Sequence, residues 1–226
     1  MKKSSLLLIA LLLVGVTASC QSNEKYQKEA RQAQNELTPV EVPMKDGLAR
    51  AYFASGCFWC VEAIYESVKG VKESISGYSG GHTDNPTYES SNTGRTGHAE
   101  AVEIYYDPNV VSFRELLDVY FGSQDVTQVN GQGPDRGSQY RSIVFYQNEE
   151  QKKQIDQKIK EVEEAVGEGK VAAQVLPFQK FWKAEGYHQD YEKRNPYNPY
   201  VLRVSIPRLL RFQNAYPNLL KENQEH

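Results

Sequence analysis

The chain has 226 residues and a net charge near -3, with 26 Lys and Arg set against 29 Asp and Glu. That balance suits one or two soluble domains, and the lack of any general basic excess excludes nucleic acid as a partner. Tyrosine is abundant at 15 residues, many of them beside Pro, Gly and Asn in the second half, as in a loop-rich globular domain with polar pockets.

The first twenty residues are of another kind. Lys2 and Lys3 precede the apolar run "LLLIALLLVGV", too short for a comfortable membrane span, and the small residues "TAS" then lead to Cys20. This is the pattern of an export signal over residues 1–19. A cysteine directly after small residues resembles the lipobox of bacterial lipoproteins, with Thr17 where that motif usually has Leu. The resemblance implies cleavage before Cys20, a lipid on Cys20, and an exported protein anchored by that lipid to a membrane of the bacterial cell envelope. A plain secretory signal and an uncleaved anchor are the alternatives. Residues 20–43 are polar and rich in Gln, Glu, Lys and Asn, a tether that leaves residues 44–226 as the working domain.

"LARAYFASG" reads as a strand ending at Gly56. "CFWCVEAIYESVKG" then switches to helical spacing, with Val61, Ile64, Tyr65 and Val68 at i, i+3, i+4 and i+7 and Gly70 as the stop. The spacing therefore puts Cys57 and Cys60 in the first turn of a helix that follows a strand. Residues 74–97, crowded with Gly, Ser, Thr and Asn, read as a short strand and a long loop. "HAEAVEIYYDP" is a strand with Glu100, Val102, Ile104 and Tyr106 on one face. "SFRELLDVYFG" is a helix opened by a Ser112–Glu115 capping box. The polar loop "QVNGQGPDRGSQ" leads into the strand "YRSIVFY", followed by an amphipathic helix over 149–167 and the strand "VAAQVLP". The remainder is aromatic and irregular until a final helix. Alternating strands and helices predict a two-layer α/β sandwich without internal repeats.

Three readings of the cysteine pair compete. Zinc needs four ligands, and only His82 and His98 stand near the pair in sequence, with no second CxxC. A structural disulfide is favoured by export, yet so short a loop gains little chain entropy from closure. A redox site fits the position, because free N–H groups and the helix dipole lower the pKa of a thiol at a helix start. On that reading Cys57 attacks and Cys60 resolves, since Cys20 lies on the tether. Phe58 and Trp59 between them would line an apolar pocket suited to a methyl group beside sulfur, unlike the small residues or Pro of thioredoxin-type exchangers. Glu100, sharing a strand face with Val102 and Ile104, is expected to be desolvated and to hold a proton at neutral pH. Regular helical geometry keeps Cβ atoms three apart at about 5–6 Å, against about 3.8 Å in a disulfide, so bridging must distort the first turn.

"GCFWC" after a strand is followed in order by "GYSGG", "NPTYESSNTGRTGHAEAVEIYYDP", "GQGPDRGSQYRS", "EGYHQDY" and "NPYNPY", over about residues 50–207. These motifs together resemble the A-class peptide methionine sulfoxide reductases. The resemblance implies a ferredoxin-like mixed sheet with helices packed on it and a long irregular C-terminal segment. It also implies reduction of the S epimer of methionine sulfoxide, free and in peptides and proteins. By match to the family motifs, Cys57 is the nucleophile, Phe58 and Trp59 hold the ε-methyl group, and Glu100 is the acid. Tyr88 and Tyr140 bond the sulfoxide oxygen, Asp135 organises the site, and His188, with Asp190 and Tyr191, stands beside the substrate.

The implied cycle runs through a Cys57 sulfenic acid and a Cys57–Cys60 disulfide that a thioredoxin-like dithiol reduces. No metal or organic cofactor is implied. Two departures stand out: many relatives have a further Cys after "NPY", where this chain has none and Tyr200 lies nearby, and Val126 replaces the Pro of a "DPT" segment. The Cys57–Cys60 bridge is therefore expected to be the final oxidised form. The rival reading is a non-catalytic, redox-responsive envelope adaptor whose cysteine pair only senses oxidation.

Overall fold

The computed structural model describes residues 36–222. The export signal, Cys20 and residues 21–35 of the tether lie outside the described residues. The compact unit that carries the fold begins at Pro39.

Eight strands and six α-helices make up the described domain. Its first half runs β1 (Ala49–Ala54), α1 (Phe58–Glu66), β2 (Val71–Ser79), α2 (Tyr88–Asn92), β3 (Ala99–Tyr106) and α3 (Phe113–Gly122). The second half runs β4 (Gly131–Gln132), β5 (Asp135–Arg136), β6 (Ile143–Tyr146), α4 (Glu149–Val166), β7 (Gln174–Pro177), β8 (Phe181–Lys183), α5 (Tyr191–Arg194) and α6 (Ile206–Ala215). A 3-10 turn at Ser138–Tyr140 and a π-helical turn at Val201–Ser205 complete the parts that matter for the site.

One six-stranded sheet has the order β7-β6-β1-β3-β2-β8. Only β6 and β7 are parallel; the other neighbours are antiparallel, and β4 and β5 form a separate hairpin. The inner order β6-β1-β3-β2, with α1 and α3 as the connecting helices, is the ferredoxin-like arrangement, extended by β7 and β8 at its edges. Strand alternation sorts the apolar residues onto two faces. Ala51 and Phe53 of β1 with Val102 and Ile104 of β3 pack against Val61, Ile64 and Tyr65 of α1 and Leu116, Leu117 and Tyr120 of α3. Tyr52, Ala54, Ala99 and Ala101 face the other way, under Phe145, Leu176 and Phe178. Tyr52 stacks on Phe178 with ring centroids 3.7 Å apart.

The predicted helices form at α1, α3 and α4, and Ser112 and Glu115 do make the reciprocal capping box. Several expectations are corrected. β2 begins at Val71, earlier than residue 74, because its first residues pair with β3 across a bulge between Val71 and Glu73. The loop after β2 contains α2, started by a Thr87–Ser90 capping box. The strand expected over 171–177 pairs only from Gln174, and the segment read as irregular contains β8, which pairs with β2 more than a hundred residues earlier.

The C-terminal segment is fastened over α1 and β2 by buried polar groups. The Gln189 side chain accepts from Ser76 N–H at 3.1 Å and donates to the Ser76 carbonyl at 3.0 Å, prolonging the edge that β8 started. Glu62 of α1 accepts from the Ser76 hydroxyl and from Asp190 N–H. Burial pushes the Glu62 carboxyl up to about 7. At the other end of the site, Arg208 of α6 donates to the carbonyls of Ser55 (3.0 Å) and Ser123 (2.8 Å), clamping the β1–α1 turn.

That turn depends on Gly56. Its φ of +89° lies in the left-handed region, and a Cβ there would stand 2.5 Å from the Gln132 Cβ. Gly56→Ala is therefore expected to lower the unfolding free energy by about 1–3 kcal/mol. Denaturant melts check this; a variant as stable as the parent would show that the turn can relax without strain.

Candidate active site

Cys57 is the N-cap of α1, with φ -53° and ψ 122°, and Phe58 is the first helical residue. Cys57 thus opens the first turn, as the spacing predicts: its carbonyl accepts the Val61 N–H at 3.3 Å while its own φ and ψ are not helical. The Phe58 N–H, one of the unpaired donors at any helix start, points at β3 and donates to Glu100 Oε2 at 3.0 Å. Glu100 is 2% exposed, as alternation along β3 predicts. Burial lifts its carboxyl from 4.5 to about 8; the Phe58 bond opposes this, and the nearby negative charges of Asp135 and Cys60 add to it. At neutral pH Glu100 carries its proton.

Both thiols are free, buried and within hydrogen-bonding reach of each other. Their charges divide against the sequence expectation. Cys60 falls to about 6, first through its hydrogen bond with Cys57 and then through Arg208, Ser205 and Tyr200. Ser205 Oγ lies 2.9 Å from Cys60 Sγ and Tyr200 Oη 3.8 Å from it. Cys57 instead rises well above the ordinary thiol value because it is fully buried and faces the Cys60 charge. The Cys57 side chain makes no capping bond, and the Phe58 N–H serves Glu100 instead.

Tyr88 opens α2, where its N–H donates to Glu185 Oε1 at 2.9 Å. Glu185 accepts the Tyr78 hydroxyl with its other oxygen. Tyr140 comes from the Ser138–Tyr140 turn, and the two hydroxyls, Tyr88 and Tyr140, meet. Burial, reinforced by Glu100 and Cys57, raises both phenols, so they remain donors. Asp135, on β5, accepts the Tyr200 hydroxyl at 2.6 Å, and burial raises its carboxyl too.

The aromatic side is continuous with these donors. The Phe58 ring lies 5.8 Å from Tyr78, 6.4 Å from Tyr88 and 4.8 Å from His188, centroid to centroid. Trp59 is half-buried and stacks on Tyr191 at 3.7 Å. Its indole N–H donates to His188 Nδ1 at 3.0 Å, which puts the proton of a neutral His188 on Nε2, in keeping with a pKa lowered by burial. His188 therefore sets the angle of Trp59 and packs on Phe58 and Tyr88. His98 has both nitrogens engaged with backbone, Nδ1 accepting from Gly81 and Nε2 donating to the Thr83 carbonyl; it ties down the loop between β2 and β3.

The fold brings together all the predicted domain residues: Cys57, Phe58, Trp59, Cys60, Tyr88, Glu100, Asp135, Tyr140 and His188. Sequence reasoning missed Tyr200, Ser205, Arg208 and Glu192, which surround Cys60. Tyr200 stands in a recognised motif, "NPYNPY", but the others carry no local signal, since only the packing of α5 and α6 beside α1 brings them to sulfur.

Two thiols, a neutral buried carboxyl and two phenol donors on a ferredoxin-like sheet are the parts of a thiol-dependent reductase. The chain matches the family described as Peptide methionine sulfoxide reductase over residues 49–218. It is 47% identical to the peptide methionine sulfoxide reductase MsrA of Saccharolobus solfataricus, over 76% of this chain and 96% of that protein. It is 45% identical to the MsrA of Pasteurella multocida, over 76% and 98% respectively. Among solved structures it resembles reduced Mxr1 from Saccharomyces cerevisiae, with a TM-score of 0.62, 34% identity, and coverage of 71% of this chain and 92% of that one. Methionine sulfoxide reductase A of Corynebacterium diphtheriae gives a TM-score of 0.61 at 29% identity, over 73% and 91%. The chain belongs to the peptide methionine sulfoxide reductase family. It is an enzyme that reduces peptide-methionine sulfoxide, which sets aside the adaptor reading.

The raised carboxyl has a thermodynamic consequence. Glu100 binds its proton more tightly folded than unfolded, so its contribution to stability is full below about 4.5 and is lost as pH rises through about 8. Glu100→Gln, which stays neutral, is expected to gain stability relative to the parent as pH rises from 4.5 to 9, with the difference closing at the acid end. Denaturant midpoints across that range read it; parallel curves would show that Glu100 titrates normally.

Proposed function

We propose that the enzyme reduces the S epimer of methionine sulfoxide, free and in peptides and proteins, through a Cys57 sulfenic acid and a Cys57–Cys60 disulfide. The observation that carries this reading is the protonated Glu100 anchored by the Phe58 N–H directly beside Cys57. The ε-methyl group lies against Phe58 and Trp59, and the sulfoxide oxygen faces Glu100, Tyr88 and Tyr140.

In the first half-reaction Cys57 attacks the sulfoxide sulfur, passing its proton to the Cys60 thiolate that already shares it. Glu100 protonates the oxygen, with Tyr88 and Tyr140 donating hydrogen bonds, because an S–O bond breaks poorly toward bare oxide. The attack joins Cys57 Sγ to the methionine sulfur; that bond then breaks as the hydroxyl passes from the methionine sulfur to Cys57, so methionine leaves and Cys57 becomes sulfenic acid. Cys60 then attacks Cys57 Sγ, and the hydroxyl departs as water with the proton Cys60 carried. A thioredoxin-like dithiol supplies the two electrons that reopen the disulfide. The N-cap position of Cys57 supports this step, since its φ of -53° and ψ of 122° are not helical. Asp135 holds Tyr200 toward the pair, and His188 holds Trp59 at the substrate.

The reading extends to the whole chain: residues 1–19 as export signal, 20–43 as tether with a lipid on Cys20, and 44–226 as catalytic domain, held at a membrane of the bacterial cell envelope. The apolar run and the "TAS" before Cys20 support it.

Turnover of separate S and R epimers of a methionine sulfoxide peptide, with dithiothreitol, tests the chemistry. Reduction of S alone, lost in Cys57→Ser, is expected; equal use of both epimers, or activity surviving Cys57→Ser, would overturn it. For the tether, the mass of the N-terminal peptide from membrane-extracted protein is expected to begin at a diacylated or triacylated Cys20. An unmodified N-terminus there sinks that part.

A further inference from the structure

The resolving sulfur has polar neighbours of its own from the C-terminal segment. Ser205 is wholly buried in the Val201–Ser205 turn, and its Oγ lies 2.9 Å from Cys60 Sγ. Behind it stands the carboxyl of Glu192, from α5, within hydrogen-bonding reach of Ser205. One Glu192 oxygen, Oε1, is buried without any protein partner. A lone buried carboxylate would be costly there, and Glu192 rises to about 8, chiefly by burial and then by the Cys60 charge. Ser205 has one hydrogen to give, and beside an uncharged Glu192 it can give it to sulfur. The other groups facing Cys60 are Cys57 from the start of α1, Glu100 from β3, Arg208 from α6, and Tyr200, which is itself bound to Asp135.

We infer that Ser205 and Glu192 are positioning residues for the resolving step, a buried polar pair that aims Cys60 at Cys57 and meets, through the Ser205 hydroxyl, the charge that forms on Cys60 as it gives up its proton. After the first half-reaction Cys57 no longer has a thiol to share with Cys60, and Ser205, its hydroxyl 2.9 Å from the resolving sulfur, is the donor placed to meet the charge as the Cys60 proton leaves. Disulfide formation then makes the Cys57–Cys60 S–S bond and breaks the Cys57 S–O bond. The hydroxyl leaves as water, taking the proton that Cys60 had received from Cys57. No outside oxidant or reductant enters this step. The inference rests on the reading of Cys60 as resolver.

The test is a single turnover of the full-length protein with one equivalent of methionine sulfoxide and no reductant. Samples are acid-quenched, and the Cys57–Cys60 peptide is resolved by mass as thiol, sulfenic acid adduct or disulfide, across pH 5 to 9. Ser205→Ala is expected to slow disulfide formation about tenfold at neutral pH and to move the midpoint of its pH profile upward by about one pH unit. Glu192→Ala should move it in the same direction, and Ser205→Thr, which keeps a hydroxyl, should return it to the parent curve. Superimposable profiles for the parent and both alanine variants would overturn this role, as would Ser205→Thr behaving like Ser205→Ala. Cys60→Ser run alongside separates the two levels: it should stop at the sulfenic acid, and a disulfide or continued cycling in that variant would remove Cys60 as resolver altogether.

Discussion

The site is organised by the hydrogen bond from the Phe58 N–H to Glu100. A helix start leaves donors that need partners, and a buried carboxyl needs a donor even when it is neutral. Each meets the other's requirement, so the start of α1 is pinned to the middle of the sheet at β3. Burial acts on both reacting groups: Cys57, fully buried and facing Cys60, keeps its proton until substrate arrives, and buried Glu100 keeps a proton ready for the sulfoxide oxygen.

The charge of the site is managed by neutralising acids rather than by adding bases. Glu100, Glu192 and Glu62 are all buried around or under α1, and all three are raised toward or beyond neutrality by desolvation. Were Glu100 and Glu192 ionised, both would repel a thiolate beside them. With their protons in place, the one negative charge of the cysteine pair settles on Cys60, where Arg208, Ser205 and Tyr200 face it. Arg208 serves twice, since the same guanidinium clamps the Ser55–Gly56 turn that delivers Cys57.

The two sulfurs meet but have different neighbours. Cys57 belongs with Glu100, Tyr88, Tyr140 and the Phe58–Trp59 aromatics, while Cys60 belongs with the residues of the C-terminal segment. That segment has little regular structure, yet side-chain bonds from Glu62 and Gln189 fix it as firmly as a strand edge would. A half-site for substrate and a half-site for resolution thus share a single helical turn.

The substrate half was legible in the chain because its residues sit in short, dense motifs: a strand and glycine before "CFWC", and a strand whose alternation turns Glu100 inward with Val102 and Ile104. Period-2 and period-3.6 patterns are local, and local patterns survive without coordinates. Helix-start electrostatics were read correctly in kind but assigned to the wrong acceptor, since the competing carboxyl arrives from forty residues away. The resolving half was not legible. Ser205, Glu192 and Arg208 are ordinary surface-type residues in the sequence, and they become buried partners of sulfur only when α5 and α6 close over α1. By itself the sequence determined the order of strands and helices, the reactive pair and its acid. Only the tertiary structure decided what surrounds each sulfur, because that depends on desolvation and on donors brought together from distant parts of the chain.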